Sequence, residues 1–189
     1  MKTEKKIIKY MINNKKELTI REIAIALKLD YKIVHTACLR LFNKKIMNMR
    51  TIGNSKQLIL TNNFSTDIFE AEFERREAVL KDKNLKLILN EVCKNLSSVN
   101  FILLLFGSYA KKKANSKSDI DLMFIVPFSK IENEIEKILS LLPFKIHYLI
   151  FTEEQFRKMK DAKELNVVKE AIKDNIILYG IEQYYTILK

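Results

Sequence analysis

The chain has 189 residues, of which 48% are hydrophobic and 30% are charged, a balance typical of one large or two small globular domains. The longest apolar run, Phe101–Phe106, is too short to cross a bilayer, and the first residues lack the pattern of an export signal. The two cysteines, Cys38 and Cys93, have no metal-binding spacing and favour a reducing compartment. We therefore expect a cytoplasmic protein without a membrane partner.

The positive charge is concentrated in the first third of the chain. The formal net charge is +11. Residues 1–61 contain 14 Lys and Arg against 4 Asp and Glu, whereas residues 62–189 contain 20 against 19. A general bias towards lysine would spread the charge evenly. The concentration instead indicates that the N-terminal region has a polyanionic partner.

Two helices are predicted first. Apolar residues at helical spacing predict a helix at Glu4–Asn13. Thr19 followed three residues later by Glu22 matches the capping box that begins a helix. The inner face of this second helix is expected to carry Ile20, Ile23, Ala24 and Leu27.

A third helix and a hairpin follow. Asp30 is expected to cap the helix after a short turn. Its predicted inner face carries Ile33, Val34, Ala37, Cys38 and Leu41. Ile46–Arg50 and Gln57–Thr61 are predicted strands around a turn at Gly53.

The order helix, helix, short turn, helix and hairpin resembles the winged helix-turn-helix domains of bacterial and archaeal regulators, over residues 1–63. The resemblance implies that the third helix lies in the major groove of double-stranded DNA and that the hairpin touches the backbone. The DNA-binding residues implied are Tyr31, Lys32, His35, Thr36 and Arg40 on the helix, with Lys44, Lys45, Arg50 and Lys56 toward the wing. The alternative is a winged helix that contacts protein, but the charge asymmetry favours DNA.

Residues 64–98 are predicted to form two amphipathic helices, a connector or a homodimerisation element. The apolar face of the first carries Ile68, Phe69, Phe73 and Leu80. Its opposite face is expected to be solvated and carries Glu70, Glu72, Glu74, Arg75, Arg76 and Glu77. The second helix is expected to bury Leu85, Ile88, Leu89, Val92 and Leu96.

Residues 99–189 have the pattern of a domain built from layers of helices and strands. Its predicted strands are Val99–Phe106, Ile120–Val126 and Lys145–Phe151. A helix is expected at Ile131–Leu142, another after a cap at Thr152, a third at Leu165–Lys173, and a short apolar segment at Ile176–Tyr179.

The most specific signal joins a Gly-Ser pair to two aspartates. Asp119 and Asp121 are one residue apart on a predicted strand, so their carboxylates share a face, where their like charges repel. Mg²⁺ (or Mn²⁺) would relieve the repulsion, and Mg²⁺ prefers one or two carboxylates together with substrate phosphates. Gly107 lets the backbone approach a ligand, the helix start behind it presents N–H groups to phosphate, and Ser108 adds a hydroxyl. The residues predict a metal–triphosphate site.

Gly107–Ser108, ten further residues and then Asp119–Asp121 resemble the signature of the minimal nucleotidyltransferase branch of the DNA polymerase β-like nucleotidyltransferase superfamily. The resemblance covers residues 99–151. Together with the N-terminal resemblance, it implies an α+β chain in which a winged helix-turn-helix precedes a nucleotidyltransferase-type α/β domain with a mixed sheet. It further implies transfer of a nucleoside monophosphate from ATP or another nucleoside triphosphate to a hydroxyl, with catalytic, metal-binding Asp119 and Asp121 and nucleotide-binding Gly107 and Ser108. Family acceptors include antibiotics, tRNA ends and partner toxins.

Two positions depart from the family pattern. Members often have Arg-Gly after the Gly-Ser turn, where this chain has Lys111 and Lys112, which could contact phosphate or be solvated. Members also place a third acid on the next strand, but Lys145–Phe151 contains no acid, and His147 occupies the matching place or one beside it. His147 could be a general base, the acid could come from Glu153 or Glu154, or catalysis could be lost with His147 an ordinary sheet residue.

Two functions follow from these observations. The first is an Mg²⁺-dependent nucleotidyltransferase joined to a DNA-binding domain, with a protein or nucleic-acid acceptor. The second is a transcriptional regulator or antitoxin-like protein whose transferase domain binds nucleotide or a toxin partner without turnover. The intact Gly-Ser pair and aspartates favour the enzyme, whereas the missing third acid favours the regulator. An RNA partner has less support, because no aromatic stacking platform is visible.

Overall fold

The computed structural model describes residues 2–53, 55–63, 65–111, 113–115 and 118–189; Lys112, discussed above, lies outside them. The chain divides into two compact units, Met1–Phe73 (unit 1) and Glu74–Lys189 (unit 2). In the part of the chain that the structure describes, every helix is too short or too polar to traverse a lipid bilayer.

Unit 1 consists of helices around a small sheet. Its elements are α1 (Thr3–Asn14), β1 (Leu18–Thr19), α2 (Ile20–Leu27), α3 (Tyr31–Asn43), β2 (Met47–Ile52) and β3 (Ser55–Leu60). The strands pair antiparallel in the order β1-β3-β2. The two-residue strand β1 was not predicted, because so short an extended segment has no periodicity of its own.

Both predicted caps in unit 1 are confirmed. The Thr19 N–H and hydroxyl donate to the Glu22 carboxylate at 2.7 and 2.8 Å, and the Glu22 N–H donates to the Thr19 Oγ1 at 3.2 Å. The Asp30 carboxylate accepts from the N–H groups of Lys32 and Ile33. These side chains satisfy N–H groups at the first turn of each helix that have no partner within it.

The predicted inner face of α3 is wrong at Ile33. Val34, Ala37, Cys38 and Leu41 are buried, but Ile33 is 53% exposed. Ile33 lies in the first turn of the helix, where it borders an open groove of about 640 Å³ together with Lys2 and Arg40. The apolar spacing correctly predicted the buried residues from Val34 to Leu41, but it did not show that the buried face begins only after Ile33.

The helix α4 (Thr66–Val79) contains the boundary between the units, and its burial differs from prediction. Glu72 and Arg75 are only 1% and 9% exposed, whereas Phe73 is 49% exposed. The Arg75 guanidinium donates to the Asn175 carbonyl oxygen at 2.8 Å, so this buried charge has a hydrogen-bond partner. The charged face is therefore not wholly solvated, because Glu72 and Arg75 are buried.

Unit 2 is built on one mixed sheet. After α5 (Lys83–Asn95), its elements are β4 (Ile102–Leu105), α6 (Gly107–Ala110), β5 (Ile120–Val126), α7 (Glu132–Ser140), β6 (Ile146–Thr152), α8 (Glu153–Asp161), α9 (Val167–Lys173), β7 (Ile176–Tyr179) and α10 (Ile181–Ile187). The strand order is β6-β5-β4-β7, with β5 and β6 parallel and the other pairs antiparallel. The apolar segment at the tail is thus an edge strand, and α10 was not predicted.

The two faces of this sheet are covered by different helices. One face contributes buried apolar residues such as Leu105 and Phe124 to a core shared with α5 and α7. The opposite face contacts α8 and α10. Gly180 is the N-cap residue of α10, with φ +78°. A Cβ there would lie 2.6 Å from the Phe101 carbonyl oxygen, so only glycine allows this close approach.

Candidate active site

The Gly-Ser turn and the aspartate strand are in direct contact. The Phe106 N–H donates to the Asp121 carbonyl oxygen at 3.0 Å, which ties the end of β4 to the start of β5. Gly107 then begins α6 at φ +65°. A Cβ on Gly107 would lie 2.0 Å from the Asp121 Oδ2. The Asp121 carboxylate therefore rests in the space that the absent side chain leaves.

The two aspartates lie at the beginning of β5. The strand begins at Ile120, whose N–H donates to the Lys145 carbonyl oxygen at 2.9 Å. Asp119 thus precedes the strand instead of lying within it, and it is exposed. Asp121 is the second strand residue, and its side chain is 25% exposed. The Asp121 carboxylate borders the Gly-Ser turn, and solvent reaches both aspartates.

His147 lies beside Asp121. The parallel register of β5 and β6 pairs the two residues, and the His147 Nδ1 lies 3.2 Å from the Asp121 Oδ1. The His147 side chain is 62% exposed. Glu153 and Glu154 follow Thr152, which is the register partner of Val126 at the far end of the same strand pair. Five residues of strand, about 16 Å, separate that end from His147, so these glutamates do not supply a third acid at this site.

The cations near the turn differ in their contacts. The Lys111 ammonium lies 3.9 Å from the Asp174 carboxylate, and the Lys111 N–H donates to the Gly107 carbonyl oxygen at 3.2 Å. The Ser108 carbonyl oxygen accepts from the Lys113 N–H at 2.9 Å. The turn is therefore closed by backbone bonds, and Ser108 remains half-buried at its start.

The donor set fits a cation that arrives with phosphate. Within the described residues, no group of three or more His, Cys, Asp and Glu side chains is arranged to hold a metal ion. Asp119 and Asp121 are two accessible carboxylates, and Gly107 leaves room for one of them beside a turn of backbone N–H groups. Mg²⁺ commonly binds one or two carboxylates and completes its shell with water and substrate phosphates. The residues present fit that arrangement.

A pocket that sequence reasoning missed lies next to the turn. It measures about 390 Å³ and is lined by Asn84, Tyr109, Ser118, Ile120, Pro143, Phe144 and Lys145. Tyr109 directly follows Ser108, which was the one available signal in the sequence. The other residues come from three separated segments, so their proximity depends on the fold.

The residues singled out for DNA binding are largely at the surface of unit 1. Tyr31, Lys32, Thr36, Arg40, Lys44, Lys45 and Arg50 are exposed, whereas His35 and Lys56 are half-buried. The rings of Tyr31 and His35 are 5.9 Å apart. Three of the cations have acidic neighbours: Arg40 lies 3.4 Å from Glu4, Lys44 lies 3.5 Å from Asp67, and Arg50 pairs with Glu17.

The comparison with known families agrees with the geometry of unit 2. The model of the family described as "Polymerase beta, Nucleotidyltransferase" matches residues 88–184, just over half of the chain. That segment contains the Gly-Ser turn, both aspartates and His147. No curated protein and no solved structure matches the chain. The Gly-Ser turn and the aspartate strand are in contact, and both lie inside the matching segment, which covers just over half of the chain. The chain therefore belongs to the polymerase beta nucleotidyltransferase family.

Proposed function

We propose that the protein transfers a nucleoside monophosphate from a nucleoside triphosphate, ATP, to a hydroxyl of a protein or nucleic-acid acceptor. The contact between Gly107 and Asp121 carries this proposal. It brings a turn suited to phosphate next to a carboxylate suited to Mg²⁺, which is the pairing that a metal-bound triphosphate needs.

Each residue then has a defined task. Asp119 and Asp121 hold Mg²⁺ or Mn²⁺, which when bound neutralises charge on the triphosphate. Ser108 and the N–H groups of α6 orient the phosphates. His147 acts as a positioning residue, because its Nδ1 lies against the Asp121 Oδ1 and limits the orientations of that carboxylate. The parallel pairing of β5 and β6 fixes the spacing of Asp121 and His147.

We further propose that unit 1 is a winged helix-turn-helix that binds double-stranded DNA. The order α1, β1, α2, α3, β2, β3 and the exposed polar face of α3 support this assignment. Lys32 and Thr36 lie on that face and would contact phosphate and base edges, respectively. The excess positive charge of residues 1–61 favours a polyanion.

His147 also favours a second candidate function. An imidazole beside Asp121 replaces the carboxylate that the family places there, which weakens metal binding. A protein with this site could bind nucleotide, or a toxin partner, and act as a regulator without turnover. The substitution His147→Glu separates the two functions, because it restores an acid at the register position opposite Asp121.

The experiment uses ATP labelled at the α-phosphate, Mg²⁺ and cell extract. We expect a labelled acceptor with the wild-type chain and no label with Asp119→Asn plus Asp121→Asn. The control is Asp161→Asn plus Glu164→Gln, which removes two exposed acids of unit 2 away from the turn. If nucleotide binds but only His147→Glu produces label, the regulator is the correct function. If neither the wild type nor His147→Glu binds nucleotide, the transferase and the nucleotide-binding regulator are both wrong.

A further inference from the structure

The strand β6 lies at one edge of the sheet in unit 2. Among the strands that the structure describes, it pairs with β5 alone. Six of its seven residues are half-buried and His147 is exposed, although helices cover both faces of the sheet. The strand at the other edge, β7, has four residues, and three of them are buried. The edge formed by β6 is therefore the more open of the two.

Every second residue of β6 directs its backbone groups away from β5. In a parallel pair, each residue turns its N–H and C=O to one side, and the side alternates along the strand. The Lys145 carbonyl oxygen accepts from the Ile120 N–H, so the odd-numbered residues of β6 bond to β5. Ile146, Tyr148 and Ile150 therefore direct their N–H and C=O groups outward, where no other described strand pairs with them.

The sequence of β6 lacks the features that usually protect a sheet edge. Protected edge strands carry lysine or proline, are very short, or are twisted away by a bulge. Ile146–Thr152 contains no lysine, arginine, acid, proline or glycine, and its register with β5 continues without a shift. A regular apolar strand of this length is suited to pairing with a further strand.

The strand is complementary to itself in the antiparallel direction. Leu149 is the middle residue of β6, so a two-fold axis through it would overlap two copies of the strand along their whole length. Tyr148 of one copy would then lie opposite Ile150 of the other. Both residues belong to the outward row, so their N–H and C=O groups would bond to each other. An aromatic residue opposite a β-branched residue is a favourable cross-strand pair.

The charges that flank β6 have the same symmetry. Lys145 precedes the strand and Glu153 follows it, each four residues from Leu149. The axis would therefore place each lysine opposite the glutamate of the second copy. Both side chains are exposed, and neither has an ion-pair partner among the residues that the structure describes. Glu154, in contrast, is paired within its own chain with Lys158 at 2.7 Å.

We propose that β6 pairs with β6 of a second copy of this chain, antiparallel and centred on Leu149, and joins two four-stranded sheets into one. The open edge supplies the hydrogen bonds, and the flanking charges supply two ion pairs. The pairing also brings Glu153 of the second copy to the sheet end at which Asp121 and His147 lie. Dimerisation does not require nucleotidyl transfer, so this inference stands or falls separately from the proposed function.

The first test reverses the flanking charges in the full chain and measures the dissociation constant of the dimer by sedimentation equilibrium. Lys145→Glu alone and Glu153→Lys alone should each weaken dimerisation by about tenfold, because like charges then meet at both ends. Lys145→Glu plus Glu153→Lys should recover the wild-type value. The matched control, Lys145→Glu plus Glu154→Lys, should remain weak. Circular dichroism establishes that each variant folds.

The second test locates the axis by disulfide crosslinking, with diamide as the oxidant. It uses a Cys93→Ser background, which removes the exposed cysteine. Leu149→Cys should crosslink two copies, because residues on the axis lie directly opposite each other. Phe151→Cys is the control, since its two copies would lie about 13 Å apart along the strands, beyond the reach of a disulfide.

The expected result is a dimer that single charge reversals weaken, that the double reversal restores and that Leu149→Cys crosslinks. A wild-type chain that sediments as a monomer throughout overturns the inference. So does a dimer that the single reversals leave unchanged, which would place the contact elsewhere. Failure of the double reversal to restore dimerisation, or equal crosslinking by Leu149→Cys and Phe151→Cys, overturns the register centred on Leu149.

Discussion

At the scale of single residues, the absence of a side chain at Gly107 determines where the Asp121 carboxylate can lie. Its φ of +65° costs an L-residue about 1–2 kcal/mol, and a Cβ would lie 2.0 Å from the Asp121 Oδ2. Gly107→Ala should therefore displace the Asp121 carboxylate. We expect nucleotidyl transfer to fall on the order of 100-fold, since misplacement by about 1 Å has effects of this size. The measurement is labelled AMP incorporated per unit time.

Gly53 provides the matched control for this substitution. It has a φ of +57°, but a Cβ there would meet nothing within 4 Å. Gly53→Ala shares the backbone strain without the displaced carboxylate, so it should lower the melting temperature but retain transfer. Full transfer by Gly107→Ala would show that the contact with Asp121 has no role in the reaction.

At the scale of elements, the capping box of α2 has a measurable contribution to stability. Thr19→Ala removes the hydroxyl that donates to the Glu22 carboxylate and accepts from the Glu22 N–H. Loss of such a cap costs about 1 kcal/mol. We expect a decrease of that size in the free energy of unfolding by urea. Thr51→Ala, an exposed threonine on β2, should leave it unchanged.

The same capping box makes this stability depend on pH. The backbone and hydroxyl hydrogen bonds from Thr19 hold the pKa of Glu22 below its ordinary value. The stabilisation is therefore complete above the unfolded pKa of about 4.3 and is lost as the pH falls through the lower pKa of the folded state. The stability difference between wild type and Thr19→Ala should shrink below about pH 4. A difference that stays constant from pH 7 to pH 3 would contradict this cause.

Signals from neighbouring residues predicted helices and strands, whereas the burial of single side chains depended on contacts between segments far apart in the sequence. The capping box at Thr19, the cap at Asp30 and the strand at Ile120–Val126 follow from neighbouring residues, and all are present. The family resemblance placed His147 at or next to the matching position on the neighbouring strand, and the register pairs it with Asp121. The burial of Arg75 could not be predicted, because its partner Asn175 lies 100 residues away.

The residues of the candidate site also differ in whether the sequence alone could identify them. The aspartates and the Gly-Ser turn could be identified because their chemistry requires a short, fixed spacing along the chain. The pocket could not be, because Asn84, Phe144 and Lys145 meet only when α5 and the segment before β6 are brought to the same end of the sheet. No spacing rule connects segments that lie this far apart in the sequence.

At the scale of the whole molecule, the charge asymmetry leads to a prediction about salt. If unit 1 binds DNA, affinity should fall steeply with salt because lysines release counterions from the phosphates. Lys32 and Lys45 are exposed and have no acidic partner among the described residues. Lys32→Gln plus Lys45→Gln should lower the slope of log affinity against log salt by about 2, measured by fluorescence anisotropy with duplex DNA.

Lys81→Gln plus Lys83→Gln is the charge-matched control. Both residues are exposed and belong to unit 2. They lie within residues 62–189, where 20 Lys and Arg face 19 Asp and Glu. The slope should remain that of the wild type. A slope that falls equally in both double variants would indicate attraction to net charge and not a DNA-binding face on unit 1.

The burial of α5 and Arg75 has a consequence for limited proteolysis. Leu85, Ile88 and Val92 pack in the core of unit 2, and Arg75 hydrogen-bonds to Asn175. Cleavage near residue 98 would separate the sheet from α5, which together with α7 covers one face of the sheet. A cut between β3 and α4 would leave every one of these contacts on a single fragment. Protease-resistant pieces that retain nucleotide binding should therefore begin before Arg75.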